Sequence, residues 1–166
     1  QRQMCIRDRL LSGDILFSVL GTTLKQAGGK KNQFLVDYTY QYEFAKTAVE
    51  NGTKKYSLVS STGADKNSFF FYPKIKGELE ESIKKLPFNK IQIFQPTTLI
   101  RQSALARKWE KIGIKVFNKL NKIGLFKSQK PLPIKILAKI MINAALSKNS
   151  NRIEIFSTRD MALLNK

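Results

Sequence analysis

Two stretches of the sequence set a lysine four residues after a tyrosine: Tyr42 with Lys46, and Tyr72 with Lys76. On a helix, residues four apart share one face. An ammonium beside a phenol favours the phenolate and lowers its pKa from about 10, so the ring can give or take a proton near neutral pH. The chain has no histidine. Ser-His-Asp and Cys-His triads, the HExxH zinc helix and the HRD loop of kinases are therefore excluded, and acid/base chemistry falls to Tyr, Lys, Asp or Glu.

The spacing alone is weak, because five tyrosines in a chain this rich in lysine give roughly 0.7 such pairs by chance. Position separates the two. Tyr42 and Lys46 lie inside a helical stretch, with Lys30 and Lys31 upstream where a strand-end serine is needed. Tyr72 and Lys76 follow Ser60 and Ser61 by about a dozen residues, and those serines close the strand Tyr56 to Ser61. That places them at the carboxyl edge of a sheet, where open α/β proteins bind ligands. The plain structural alternative is a pair of strand-end serines and an aromatic plug at a helix start.

The elements that must position these residues alternate along the chain. Ile15 to Gly21 is a short apolar run typical of a strand buried on both faces, and Thr22 to Gln33 reads as loop. Phe34 to Glu50 carries Val36, Tyr40, Phe44 or Ala45, and Ala48 at helical spacing and stops at Asn51-Gly52. After the strand Tyr56 to Ser61, Tyr72 to Leu86 is helical, with Pro73 in its first turn. Lys90 to Gln95 is a strand and Arg101 to Leu125 a long helical stretch. Pro131 and Pro133 introduce a helix through Ser147, Arg152 to Phe156 is a strand, and Ser157 is an N-cap for a last helical turn. The expected fold class is α/β: a Rossmann-like, doubly wound parallel sheet built from right-handed βαβ units. It is expected to be incomplete, since no GxxGxxG strand-turn-helix precedes Ile15.

The residues Val59-Ser-Ser-Thr-Gly-Ala-Asp65, then Ser68, Tyr72, Lys76, Gly77, Glu78 and Glu80, resemble the atypical short-chain dehydrogenase/reductases of the Tat-interacting-protein type. Leu20-Gly21-Thr22-Thr23 with Ala27-Gly28, and Phe94-Gln-Pro-Thr-Thr-Leu99, extend the likeness from about Asp14 to the carboxy terminus. The resemblance implies an NAD(P)H-dependent oxidoreductase in which Tyr72 donates a proton to a carbonyl-type substrate. Lys76 would bond the nicotinamide ribose and depress the Tyr72 pKa, and Ser60 or Ser61 would hold the carbonyl, with Ser61 favoured because classical relatives use the second serine of such a pair. It also implies that the backbone at Leu20 and Gly21 passes the cofactor, that Leu99 approaches the nicotinamide, and that Arg107 contacts phosphate or substrate. NADP is the implied cofactor and NAD its alternative. Gln95 and Thr97 depart from the family's usual Arg and Gly. Because the family includes regulators that sense NADPH, a non-catalytic NADPH-binding interaction protein is the second reading.

The net charge of +18 over 166 residues attracts phosphate, but the lysines are scattered rather than gathered with aromatics on one element, so no nucleic-acid partner is expected. No apolar run reaches the roughly 20 residues of a membrane span. The stripe Trp109, Ile112, Val116, Leu120 and Ile123, set among lysines, leaves weak association with an anionic membrane surface as a minor reading. The single Cys5 suits a reducing, cytoplasmic setting. Residues 1–9 read as a non-native leader, and 10–166 as the carboxy-terminal part of one NAD(P)-binding domain. The expected partner is a small carbonyl compound, and oligomeric state has no signature in the sequence.

Overall fold

The computed structural model describes residues 11–97, 99–100, 132–147 and 149–164. The expected leader 1–9 and the helix Arg101 to Leu125 lie outside the described residues. Four strands, β1 (Ile15–Ser18), β2 (Lys55–Val59), β3 (Lys90–Gln95) and β6 (Ile153–Ser157), form one sheet in the order β1-β2-β3-β6. Every pairing is parallel, with Ile15 opposite Lys55, Lys55 opposite Lys90, and Ile91 opposite Ile153. A second pair, β4 (Leu99–Ile100) and β5 (Leu132–Pro133), is also parallel and was not foreseen from the sequence.

Between β1 and β2 the chain is more helical than expected. The stretch Thr22 to Gln33 holds α1 (Leu24–Ala27) and all but the last residue of α2 (Lys30–Phe34), the latter running on through a π-helical segment (Leu35–Thr39) into α3 (Tyr40–Glu50). Thr23 starts α1 by accepting the Gln26 N–H on its side chain, and Gly28 ends it at φ 74°, a left-handed conformation that glycine adopts without Cβ strain. The remaining helices are α4 (Phe71–Lys84), α5 (Ile134–Leu146) and α6 (Thr158–Leu163). Ser157 caps α6 as the sequence indicates, and Asp160 returns the bond to the Ser157 N–H at 2.9 Å.

Side chains alternate across the sheet and divide the core in two. On one face Tyr56, Leu58, Ile91 and Ile93 pack with Ala45 of α3 and Leu79 and Ile83 of α4. On the other, Phe94 packs with Leu137, Ile140, Met141 and Ala144 of α5 and with Met161 of α6. Helices therefore cover both faces, as a doubly wound sheet requires. Each fully buried Leu or Ile contributes about 1.5–3 kcal/mol relative to exposure. This packing fixes the carboxyl ends of β1, β2 and β3 side by side, which is where the chemistry-bearing residues emerge.

Candidate functional site

Strand β2 ends at Val59, so Ser60 and Ser61 are the first residues beyond it, and the chain then turns through Thr62 and Gly63. Alternation sends the two serines opposite ways. Ser60 is buried, gives its N–H to Phe94 O at 2.7 Å, and its hydroxyl meets no hydrogen-bond partner among the described residues. Ser61 is only partly buried; its hydroxyl donates to the Thr62 carbonyl at 3.3 Å and is near enough to Tyr72 to lower the phenol's pKa. Of the two expected serines, the structure brings Ser61 to the tyrosine.

Tyr72 stands in the first turn of α4 with 38% of its surface exposed, and Lys76 lies one turn further on, buried. The loop carrying Asp65 and Lys66 can pass directly over helix α4 because Gly77 has no Cβ to meet its backbone. The Asp65 N–H also donates to the Pro73 carbonyl at 3.1 Å. Burial, followed by the negative charge of Asp37, raises the Tyr72 pKa above its ordinary value, while the Ser61 contact pulls it down. The resemblance implies a Tyr72 pKa depressed by Lys76, and the structure departs from that. The Lys76 ammonium is engaged 3.2 Å away with Asp37, and the side chains of the pair are 2% and 0% exposed.

Asp37 is the residue that sequence reasoning missed. It lies in the π-helical segment, a feature frequent at functional sites, and it also accepts the Thr22 N–H on Oδ2 at 3.2 Å. The buried amide of Gln41 donates to the Asp37 carbonyl at 2.9 Å, and its oxygen accepts the Ser18 hydroxyl at 2.8 Å, so the locally widened helix keeps its polar groups bonded. The signal that could have found Asp37 is an acid set in the apolar run Leu35-Val36, on a helix that also carries Gln33 and Gln41 toward the sheet.

Burial lowers the Lys76 pKa, and the charges of Asp37 and, more weakly, Glu80 oppose that shift. Glu80 is itself buried and receives the Gln95 amide on both carboxylate oxygens, at 3.0 and 3.1 Å. Gln95, which stands where the resembling family has Arg, is thus the polar partner of a buried carboxylate.

Leu20 and Gly21 lie at the carboxyl end of β1, exposed, with Gly21 beside Asp37. Leu99 sits in β4 opposite Leu132 and packs on the second core, and Arg107 lies outside the described residues. Tyr42 belongs to the core face of α3, where its ring stacks on Tyr38 with centroids 6.0 Å apart, while Lys46 points to solvent. The residues present fit the ribose and nicotinamide end of a dinucleotide: one amine, one phenol and one hydroxyl beside an exposed Leu-Gly backbone. The sequence holds no GxxGxxG turn for a pyrophosphate. Among the described residues no group of three or more acidic, cysteine or histidine side chains could hold a metal, and no helix is long and apolar enough to cross a membrane.

No protein-family model matches the chain. Protein HTATIP2 of Rattus norvegicus is 32% identical over 154 residues, covering 92% of this chain and 62% of that protein. The mitochondrial protein FMP52 of Eremothecium gossypii is 31% identical over 156 residues, covering 92% of this chain and 70% of that one. The mitochondrial protein fmp52 of Aspergillus niger is 48% identical over 83 residues, covering 50% of this chain and 36% of that protein. The chain thus spans only part of its relatives' length.

Among solved structures, dTDP-4-dehydrorhamnose reductase of Bacillus anthracis in complex with NADP superposes with a TM-score of 0.61 at 14% identity, over 94% of this chain and 58% of that one. UDP-glucuronic acid 4-epimerase of Bacillus cereus in complex with NAD gives 0.59 at 11% identity, over 90% and 55%. These likenesses bear out the Rossmann-like fold. The cytoplasmic setting expected from the single cysteine is overturned by relatives that are named mitochondrial. One free thiol marks a reducing environment without distinguishing compartments. Identity of 31–32% along most of this chain to FMP52 and HTATIP2 shows that it belongs to the Tat-interacting-protein-like family of short-chain dehydrogenase/reductases.

Proposed function

We propose that the chain carries the proton-transfer side of an NAD(P)H-dependent oxidoreductase acting on a carbonyl-type substrate. The observation that carries this reading is the convergence of Ser61, Tyr72 and Lys76 at the carboxyl edge of the parallel sheet, next to the exposed Leu20-Gly21 backbone. A bound nicotinamide dinucleotide supplies the hydride. Ser61 holds the substrate oxygen through its hydroxyl, and Tyr72 gives its phenolic proton to that oxygen as negative charge develops there. With its pKa raised, Tyr72 is fully protonated at neutral pH and acts as the acid in the reductive direction. Lys76 would supply a positive charge toward the ribose, and Gly21, which has no side chain, would leave the turn after β1 open to the cofactor beside the exposed Leu20. NADP is the proposed cofactor on the strength of the family resemblance, and a mitochondrial location follows from the names of the relatives.

The test is NADPH oxidation by the purified full-length protein against a panel of aldehydes and ketones. The wild type is expected to turn over at least one of them, and Tyr72→Phe to lose about 100-fold or more in kcat.

A second reading is favoured by one observation: the Lys76 ammonium is turned to Asp37 inside the protein. In a cofactor-sensing regulator Tyr72 and Lys76 would grip the ribose without chemistry. Tight NADPH binding that survives Tyr72→Phe, with no wild-type turnover on any substrate, would establish that reading over the enzyme.

A further inference from the structure

We propose that Asp37 is a positioning residue for Lys76: its carboxylate holds the lysine as an ammonium and ties it to the backbone of the turn after β1, so Tyr72 is kept in its protonated, proton-donating form. The proposal rests on the reading of Tyr72 and Lys76 as site residues and assigns the direction in which they are poised.

Three observations converge on it. The Lys76 and Asp37 side chains are buried together, 3.2 Å apart at Nζ and Oδ1, and a buried amine without a counter-charge sheds its proton. The other carboxylate oxygen, Oδ2, takes the Thr22 N–H at 3.2 Å, and Oδ1 lies 3.5 Å from where a Gly21 Cβ would stand, so one carboxylate bridges the cofactor-side turn and the lysine. The carboxylate reaches both from the π-helical segment, whose extra backbone carbonyl is held by Gln41.

Among the described residues the charges acting on Lys76 are those of Asp37 and Glu80. Asp37 faces it from the π segment, and Tyr72 and Glu80 lie one turn to either side of it on its own helix. Glu80 is occupied by the Gln95 amide. Asp37 therefore acts on the site in two ways that agree: it preserves the Lys76 charge against burial, and its own negative charge adds to burial, the larger cause, in raising the Tyr72 pKa above its ordinary value. A packing role alone would demand neither the bond to Thr22 nor the contact with the site lysine.

Asp37→Asn isolates the charge, because the amide keeps the shape and an acceptor for the Thr22 N–H. The readout is the NMR titration of the Lys76 side chain in lysine-labelled protein, assigned with Lys76→Met. Lys76 is expected to titrate at least about one pH unit lower in Asp37→Asn than in the wild type. Titration at an unchanged pH would overturn the proposal. Should Asp37→Asn fail to fold, the double variant Asp37→Asn/Lys76→Met decides. Recovery of the wild-type melt shows that the stranded ammonium was the fault, and a double variant as unstable as the single one overturns the assignment. The titration needs no turnover, so loss of the oxidoreductase reading and loss of this one are distinguishable.

Discussion

Gly77 of α4 and the backbone of Asp65 are in direct apposition: a Cβ added at Gly77 would stand 2.7 Å from Asp65 Cα and closer still to Lys66 N. The contact seats the Tyr72–Lys76 turn beneath the loop that follows Ser61. The obstacle is backbone, which cannot swing aside as a side chain end can. Gly77→Ala is expected to cost about 3 kcal/mol and to weaken the Ser61 to Tyr72 register. Denaturant unfolding measures the first effect, and a melt within error of wild type would show that the loop yields freely.

Ser60 and Ser61 are adjacent in sequence and opposite in environment. Ser60→Ala removes a buried hydroxyl that meets no partner among the described residues, so stability should hold or rise slightly and turnover should persist. Ser61→Ala removes the group that lowers the Tyr72 pKa and would hold the substrate oxygen, so kcat/KM should fall by about 100-fold. Reversal of the two effects would mean that the first serine is the one that binds substrate.

The Glu80 carboxylate depends on Gln95 for two hydrogen bonds. Gln95→Leu leaves it buried without them, at an expected cost of about 1.5–3 kcal/mol. Gln95→Arg supplies a charge-assisted fork in the same place and is expected to retain at least wild-type stability. Thermal melts of the two variants side by side check this, and equal melts would show that Glu80 finds other donors.

How far the sequence disclosed this arrangement depends on the range of the interactions. The strand Lys90–Gln95 coincides with its sequence reading, and the Ser157 cap with its Asp160 return is local chemistry legible three residues apart. Tyr72 and Lys76 were legible because one helix turn brings them together. Asp37 was not, because it meets Lys76 across 39 positions and through a π segment that no 3.6-residue periodicity signals. The stretch before it reads as loop because Gly28, Gly29 and a polar composition hide two short helices whose order comes from tertiary contacts, such as Gln33 donating to Thr22 O at 3.3 Å. Nor does the spacing show the direction of the Tyr72 pKa, which burial first and the Asp37 charge second raise above its ordinary value.

Tyr56 lies in the core against Phe88, ring centroids 5.2 Å apart, and burial drives its pKa well above the usual phenol range despite a nearby Ser18 hydroxyl. A raised folded pKa for an acid means that its contribution is complete below the unfolded value of about 10 and is lost as pH climbs toward the folded value. Stability is therefore expected to fall above pH 10, and Tyr56→Phe to flatten that decline. Equal alkaline slopes for the two proteins would assign the loss to other groups.

Strand β1 pairs only with β2 among the described residues, and Phe17, Val19 and Leu20 around its open side are exposed, Val19 by 66%. An unpaired parallel edge flanked by apolar side chains templates further strand pairing. The +18 charge opposes association at long range, but its reach shrinks to about 10 Å at 0.1 M salt. The 166-residue chain expressed by itself is thus expected to self-associate, more strongly as salt is raised, and Val19→Lys at the edge to shift it toward monomer. Sedimentation velocity at low and high salt measures both effects. A monodisperse, cooperatively melting monomer in either condition would mean that the β1 edge is already satisfied within the chain.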